Sequence, residues 1–252
     1  MPIQALLQRL KQGHRTIAFP AAAPTLSDRF RGRPTLEAAK CEAGCRACIS
    51  ACPTEAITFA AGRPALDQGR CLFCGDCERA CKPEALRFTG EYALAARTRP
   101  DLEAGLEPAR VVAALDERSK ELFGRSLRLR QVSAGGCNAC EADNNVLGTV
   151  VFDLGRFGVQ FVASPRHADG LLITGPVSQN MRLGLEKTWE ATPAPKIVIA
   201  VGACAIAGGP FAGNREVVGG ADKIVPVDLY VPGCPPHPIT ILDGILRLLD
   251  RR

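Results

Sequence analysis

"CLFCGDCERACKPEALRF", residues 71–88, decides how the first third of the chain folds. Its cysteines, Cys71, Cys74, Cys77 and Cys81, are spaced C-x2-C-x2-C-x3-C. Upstream, "CEAGCRACISACPTEAITF" (41–59) repeats the pattern with Cys41, Cys45, Cys48 and Cys52. The tails agree as well: Cys52, Glu55, Ala56 and Phe59 align with Cys81, Glu84, Ala85 and Phe88. Short alternating runs such as Ala56–Phe59 predict strands pairing around two small helices. A unit this small buries little apolar surface, so bound metal must supply much of its stability.

The spacing is that of the bacterial ferredoxin run, in which three cysteines hold one four-iron cluster and the fourth reaches the other. Tight C-x2-C turns let three thiolates converge on one cube while backbone N–H groups point at its sulfides. The fourth cysteine is expected to begin a helix running to the second cube. This assigns Cys52, Cys71, Cys74 and Cys77 to one cluster, and Cys41, Cys45, Cys48 and Cys81 to the other. The chain departs from the pattern twice. Three residues separate Cys41 from Cys45, and Lys82 stands where the first copy has Pro53, with Pro83 one place on. Four-cysteine zinc sites also use C-x2-C pairs, mostly as two separated pairs. A zinc-stabilised interaction module is therefore the alternative from a different class.

The chain has 252 residues and 46% hydrophobic side chains, enough for two modest domains with real cores. The opening "MPIQALLQRLKQG" lacks the apolar stretch and cleavage site of a secretory signal, which predicts a cytoplasmic protein. In a reducing compartment, twelve cysteines point to metal rather than to disulfides. The formal charge of +5 treats cysteine as neutral. Three clusters, at about −2 each, would bring the sum near zero, so nucleic acid is not the expected partner.

At the amino end, Ile3, Leu6, Leu7 and Leu10 share one face of a short helix, with Arg9, Lys11 and Arg15 among them. Such a helix docks on another protein surface or rests at a membrane interface. "FPAAAPTLSDRFRGRP" (19–34) reads as an extended arm. Residues 91–126 read as a helical connection, with "PARVVAALDERSKELFG" (108–124) its clearest helix.

From residue 127 strand and helix alternate. "LRLRQVSAG", "VQFVAS", "GLLITG", "KIVIAVG" and "VPVDLYV" read as strands. Helices are predicted from Cys140 to about Phe157, over "QNMRLGLEKTWE", and as the amphipathic "ITILDGILRLLDRR". Alternation of this kind predicts a parallel sheet covered by helices. The remaining cysteines all follow strands: Cys137 and Cys140 the first, Cys204 and Cys234 the last two. In a parallel sheet the carboxyl ends share one edge, where sites collect. Gly135, Gly136, Gly202, Gly208, Gly209 and Gly233 leave room there for a third cube. Glu141 and Asp143 fit either a proton relay or favourable placement at a helix start. Arg166 and His167 fit a partner-facing, cluster-tuning or structural role, and His237 reads as a loop residue. "GACAIAGG" matches no nucleotide-binding motif.

"GGCNAC", "RFGVQFVASPRHADGLLITGPV", "GACAIAGG" and "DKIVPVDLYVPGCPPHP" resemble the small subunit of membrane-bound, energy-converting nickel–iron hydrogenases. They are also similar to the related cluster-carrying subunit of respiratory complex I. The amino-terminal part resembles the two-cluster ferredoxin subunit of the same complexes, so the chain looks like a fusion of the two. The C-x2-C of the first motif and "SPRHAD" favour the hydrogenase branch.

The resulting expectation is an α+β ferredoxin-like two-cluster domain followed by an α/β flavodoxin-like parallel-sheet domain. The boundaries are 1–34 for helix and arm, 35–90 for the two-cluster domain, 91–126 for the connection and 127–252 for the last domain. All twelve cysteines go to three 4Fe-4S clusters, which leaves no complete active site in the chain. The resemblance implies an electron-transfer subunit of an oxidoreductase. It would serve a large catalytic nickel–iron subunit, alongside membrane-embedded subunits, with a soluble ferredoxin or dehydrogenase module as electron partner. The expected location is peripheral, on the cytoplasmic membrane. A quinone-reducing or nickel-free relative of complex I is the alternative.

Overall fold

The computed structural model describes residues 2–60, 63–103, 115, 121, 123 and 126–252. The helix expected over 108–124 falls almost wholly outside them. An amino-terminal helix, α1 (Pro2–Gln12), leads into an irregular arm that reaches residue 33.

The cysteine repeat folds with a visible internal symmetry. Strand β1 (Pro34–Leu36) pairs antiparallel with β4 (Leu86–Phe88), and β2 (Ile57–Ala60) with β3 (Arg63–Leu66). Helices α2 (Ala47–Ser50) and α3 (Asp76–Ala80) occupy equivalent places. The ladder ends match: Glu37 N–H donates to the Ala85 carbonyl and Asp67 N–H to the Ala56 carbonyl, both at 2.8 Å. Glu55 and Glu84 both take left-handed backbone, with φ of 51° and 54°. The same unusual conformation at aligned positions shows that the two copies share their turn geometry. One expectation is corrected here. The short helices carry the third cysteine of each run, Cys48 or Cys77, and end before the fourth, Cys52 or Cys81. A four- or five-residue helix is spent positioning the third thiol, so the fourth lies in the turn beyond it.

The carboxyl-terminal half is a five-stranded parallel sheet. Its strands are β5 (Leu127–Ser133), β6 (Val159–Phe161), β7 (Gly170–Thr174), β8 (Ile197–Val201) and β9 (Leu229–Val231), in the order β6-β5-β7-β8-β9. Counted within the sheet this is 2-1-3-4-5, the flavodoxin-like doubly wound order. Strands β7, β8 and β9 are buried at every residue, as expected of strands covered on both faces. Ile197, Ile199 and Val201 of β8 join one core, and Val198 and Ala200 join the other. The covering helices are α5 (Ala139–Val146), α6 (Gln179–Ala191), α7 (Ala203–Ala207) and α8 (Pro238–Leu248); α4 (Arg99–Glu103) precedes the sheet.

Three predicted elements differ in extent. Helix α5 stops at Val146 rather than near Phe157, because Gly148 and the β-branched run Thr149–Val151 are poor helix formers. Strand β9 is confined to 229–231, since Asp228 turns its carboxylate back to accept the Val198 N–H at 2.8 Å. Helix α8 is buried almost all round rather than on one face. Phe19 of the arm and Ala95 belong to the core it packs in, and Gly244 admits Ala95, whose Cβ lies 2.8 Å from where a Gly244 Cβ would be. Its one buried charge, Asp243, is met by Arg247 and Arg252, each at 2.8 Å.

The segment 94–96 stitches the two halves together. Leu94 belongs to the core of the cysteine repeat, Ala95 to one core of the sheet and Ala96 to the other. Ala96 and Tyr230 exchange backbone hydrogen bonds of 2.9 and 2.8 Å, which occupies the edge of β9. Arg99 adds an ion pair to Asp67 in the repeat, with Nη1 2.7 Å from Oδ1.

Candidate functional site

Beyond β5 the chain turns through Gly135 (φ 85°) and Asn138 (φ 71°), placing Cys137 in the turn and Cys140 in the first turn of α5. Gly202 and Ala203 at the end of β8 donate their N–H groups to the Val231 and Gly233 carbonyls, both at 2.8 Å. Those bonds hold the Cys204 and Cys234 loops side by side. At Gly202 (φ 92°), a Cβ would lie 2.6 Å from the Cys140 Sγ, and at Gly209 one would lie 2.7 Å from the Cys204 Sγ. The glycines therefore make the space that these two sulfurs occupy.

The four thiols are within electrostatic reach of one another. Burial pushes the Cys140 thiol well up, and the neighbouring Cys204, Glu141, Cys234 and Cys137 push it further. Cys204 is pushed up to about 11, by burial first and then by Cys234 and Cys137. Four clustered thiols, two of them partly buried, that oppose each other's ionisation are costly unless a cation shares their charge. Soft thiolate sets of this kind suit zinc or iron–sulfur groups. Among the described residues, no three His, Cys, Asp or Glu side chains converge as the ligands of a single ion would.

The cysteines of the repeat fall into two sets by the same criterion. Cys71 is pushed up to about 12 by burial, then by Cys77, Cys52 and Cys74. Cys77 is likewise pushed up to about 12, by burial and then by Cys74, with Cys52 and Cys48 contributing less. Cys48 is raised by burial, then by Cys81 and Cys41. Cys52 thus lies with the second run, and Cys81 with the first. Two backbone donors already point at sulfur: Phe73 N–H to Cys71 at 3.3 Å and Ala56 N–H to Cys52 at 3.2 Å. The longer loop between Cys41 and Cys45 is absorbed before Gly44, whose left-handed φ of 79° corresponds to the left-handed Phe73 (φ 53°) before Cys74.

Glu141 is buried beneath the sheet-edge site and accepts hydrogen bonds from Ser133 Oγ at 2.6 Å and Thr174 Oγ1 at 2.7 Å. Burial raises its carboxyl, but these hydroxyls and its own backbone N–H outweigh burial and hold it below the usual range. Its carboxylate thus serves the β5 and β7 ends as well as the helix terminus. Asp143, raised by burial, lines a cleft with Arg29, Phe30, Arg31, Cys234 and His237. His237 is more than a loop residue: its Nδ1 accepts the Ile239 N–H at 3.1 Å and so caps α8. Pro238 at the first helical position was the sequence signal for that cap. Phe30 packs edge-on against His237, with ring centres 5.4 Å apart, a contact that nothing in the arm's composition announced.

Arg166 and His167 lie in the connection between β6 and β7. Leu129 pairs with Phe161 at the end of β6 and also with Gly170 at the start of β7. The 162–169 connection that carries them thus begins and ends level with Leu129, four residues or about 13 Å down the sheet from Ser133. Pro176, Val177 and Pro232 are buried by the chain itself, leaving residues 135–138 with Cys234 and Pro235 as the exposed edge.

Comparison with known proteins places both halves. Residues 137–248 match the family "NADH ubiquinone oxidoreductase, 20 Kd subunit", and residues 40–85 match the "4Fe-4S dicluster domain". The chain is 48% identical over 144 residues to formate hydrogenlyase subunit 7 of Escherichia coli, covering 56% of each protein. It thus spans little more than half of that relative's length. It is 43% identical over 140 residues to a probable membrane-bound hydrogenase subunit of Pyrococcus furiosus, covering 54% of this chain and 84% of the relative. With an NADH-quinone oxidoreductase subunit of Heliobacterium modesticaldum it shares 45% identity over 116 residues, 46% of this chain and 66% of the other.

Proposed function

Because the chain belongs to the NADH ubiquinone oxidoreductase 20 Kd subunit family, with a 4Fe-4S dicluster region ahead of it, we propose that it is a three-cluster electron relay in a hydrogenase complex. The observation that carries this reading is the company the cysteines keep: Cys52 and Cys74 with Cys71 and Cys77, Cys81 and Cys41 with Cys48, and Cys137, Cys204 and Cys234 with Cys140. Cys41, Cys45, Cys48 and Cys81 would hold one 4Fe-4S cluster, and Cys52, Cys71, Cys74 and Cys77 the second. Cys137, Cys140, Cys204 and Cys234 would hold the third. The first two would sit in a ferredoxin-type domain over residues 35–90, between the arm (1–34) and the connection (91–126). The third would sit in the α/β domain of residues 127–252.

Bound clusters supply one-electron transfer; the chain's part is to fix their order and surroundings. Cys74 is near enough for its charge to raise the Cys234 thiol, so the second cluster would border the third and the first would lie farther out. A soluble ferredoxin or dehydrogenase module would meet the outer cluster. The exposed edge at 135–138 and Cys234–Pro235 would face a large nickel–iron subunit. Partner subunits would hold the assembly at the cytoplasmic membrane. The 45% identity to an NADH-quinone oxidoreductase subunit favours a second reading, in which the partner is nickel-free and reduces quinone.

Purification of the native complex separates the two. Nickel together with hydrogen turnover from an artificial electron carrier is the expected result. Quinone reduction without nickel or hydrogen turnover would replace the first reading by the second.

A further inference from the structure

The helix α1 is built for a surface that the described remainder of the chain does not provide. Ile3, Leu6, Leu7 and Leu10 recur on one face, and they are 72, 62, 50 and 72% exposed. A helix with four large aliphatic side chains in water on one side is not packed as a core element. Arg9 and Lys11 lie in its last turn. His14 and Arg15 follow, and no acidic residue occurs before Asp28. The segment carries positive charge alone.

The helix hangs from a fixed anchor. Thr16 Oγ1 donates to the Val150 carbonyl at 2.7 Å, and Ile17 N–H to the Val151 carbonyl at 3.0 Å. Arg156 clasps the Ile17 and Phe19 carbonyls, both at 2.9 Å. Val150 and Val151, at the anchor, are themselves exposed. Gly13 provides the turn between helix and anchor, with a left-handed φ of 62°.

We propose that α1 lies in the surface of an anionic lipid bilayer, with Leu6, Leu7 and Leu10 toward the acyl chains and Arg9, Lys11 and Arg15 among the headgroups. An apolar stripe accompanied by basic residues is the composition of an interfacial helix. Each basic residue gains from the negative surface potential of anionic lipid. A second copy of α1 would bring like charges together, so charge complementarity selects an anionic surface. The proposal does not depend on how many clusters the chain carries.

The test is flotation of the full, anaerobically purified chain with phosphatidylcholine vesicles containing or lacking phosphatidylglycerol. Binding is expected only with phosphatidylglycerol. It should weaken at least about tenfold when Arg9 and Lys11 become glutamate, or when salt rises from about 0.1 M to about 1 M and shortens the screening length from about 10 Å to about 3 Å. Leu6→Glu with Leu10→Glu should abolish it while leaving the iron content and visible absorption unchanged. No binding to either vesicle, equal binding to both, or binding that survives the leucine variants would each overturn the proposal. If the parent chain ignores vesicles and the leucine variants instead lose a partner from the purified complex, the occupant is a protein and the proposal is wrong.

Discussion

Cys74, between β3 and α3, and Cys234, beyond β9, are within electrostatic reach of each other across the junction of the two halves. Burial raises the Cys234 thiol first, its site neighbour Cys137 second, and Cys74 third. In the proposed relay this relationship would set the order, with the cluster of Cys71, Cys74 and Cys77 nearer the sheet-edge site. The stitch at Ala96 and Tyr230 and the Arg99–Asp67 pair fix that approach.

Crossed ligation is expected at Cys52. The charge of Cys52 reaches Cys71 and Cys77, although Cys52 follows the first run in sequence. Cys52→Ser should alter the paramagnetic signal of the cluster held by Cys71, Cys74 and Cys77. A change confined to the Cys41, Cys45 and Cys48 cluster would contradict the assignment.

The glycine at the end of β8 should be intolerant of any side chain. At Gly202→Ala the new Cβ would fall 2.6 Å from the Cys140 Sγ, on backbone at φ 92° that disfavours alanine. The expected outcome is loss of the sheet-edge cluster's signal, with the two repeat clusters still reducible. Retention of all three signals would show that Cys140 is not held where the thiol set requires it.

Glu141 should depress the potential of the sheet-edge cluster. Its carboxyl lies below its ordinary 4.5, so at neutral pH it carries a buried negative charge beside Cys140. Its stabilising contribution is present above the unfolded pKa and is lost only as pH falls through the lowered folded value. Glu141→Gln keeps the shape and removes the charge, so the midpoint potential of that cluster should rise by roughly tens of millivolts. Glu141→Ala also removes an acceptor from two hydroxyls, but Ser133 is open to water and Thr174 keeps the Val132 carbonyl at 3.3 Å, so the cost to stability should be about 1 kcal/mol. An unchanged potential in Glu141→Gln would mean that the charge is screened from the cluster.

What the sequence made legible was periodic or paired. The cysteine repeat foretold two equivalent halves, and those halves match down to Glu55 and Glu84. Alternating apolar runs foretold the sheet, whose carboxyl edge then gathers Cys137, Cys140, Cys204 and Cys234. Contacts set by long-range packing were not legible. Nothing local to α8 says that Ala95 packs against Gly244, and nothing in "SPRHAD" says that its connection begins and ends level with Leu129. The true end of α5 was visible in Gly148 and the run after it, but apolar composition obscured it. Glu141 illustrates the remaining gap: a carboxylate in the first turn of a helix suggests a dipole role, and nothing local says that Ser133 and Thr174 donate to it as well.

The most direct measurement is of iron, acid-labile sulfide and zinc in the anaerobically purified full chain. Three four-iron clusters require about twelve irons and about twelve sulfides per chain, with little zinc. Stoichiometric zinc, or iron sufficient for only two clusters, would contradict a three-cluster relay.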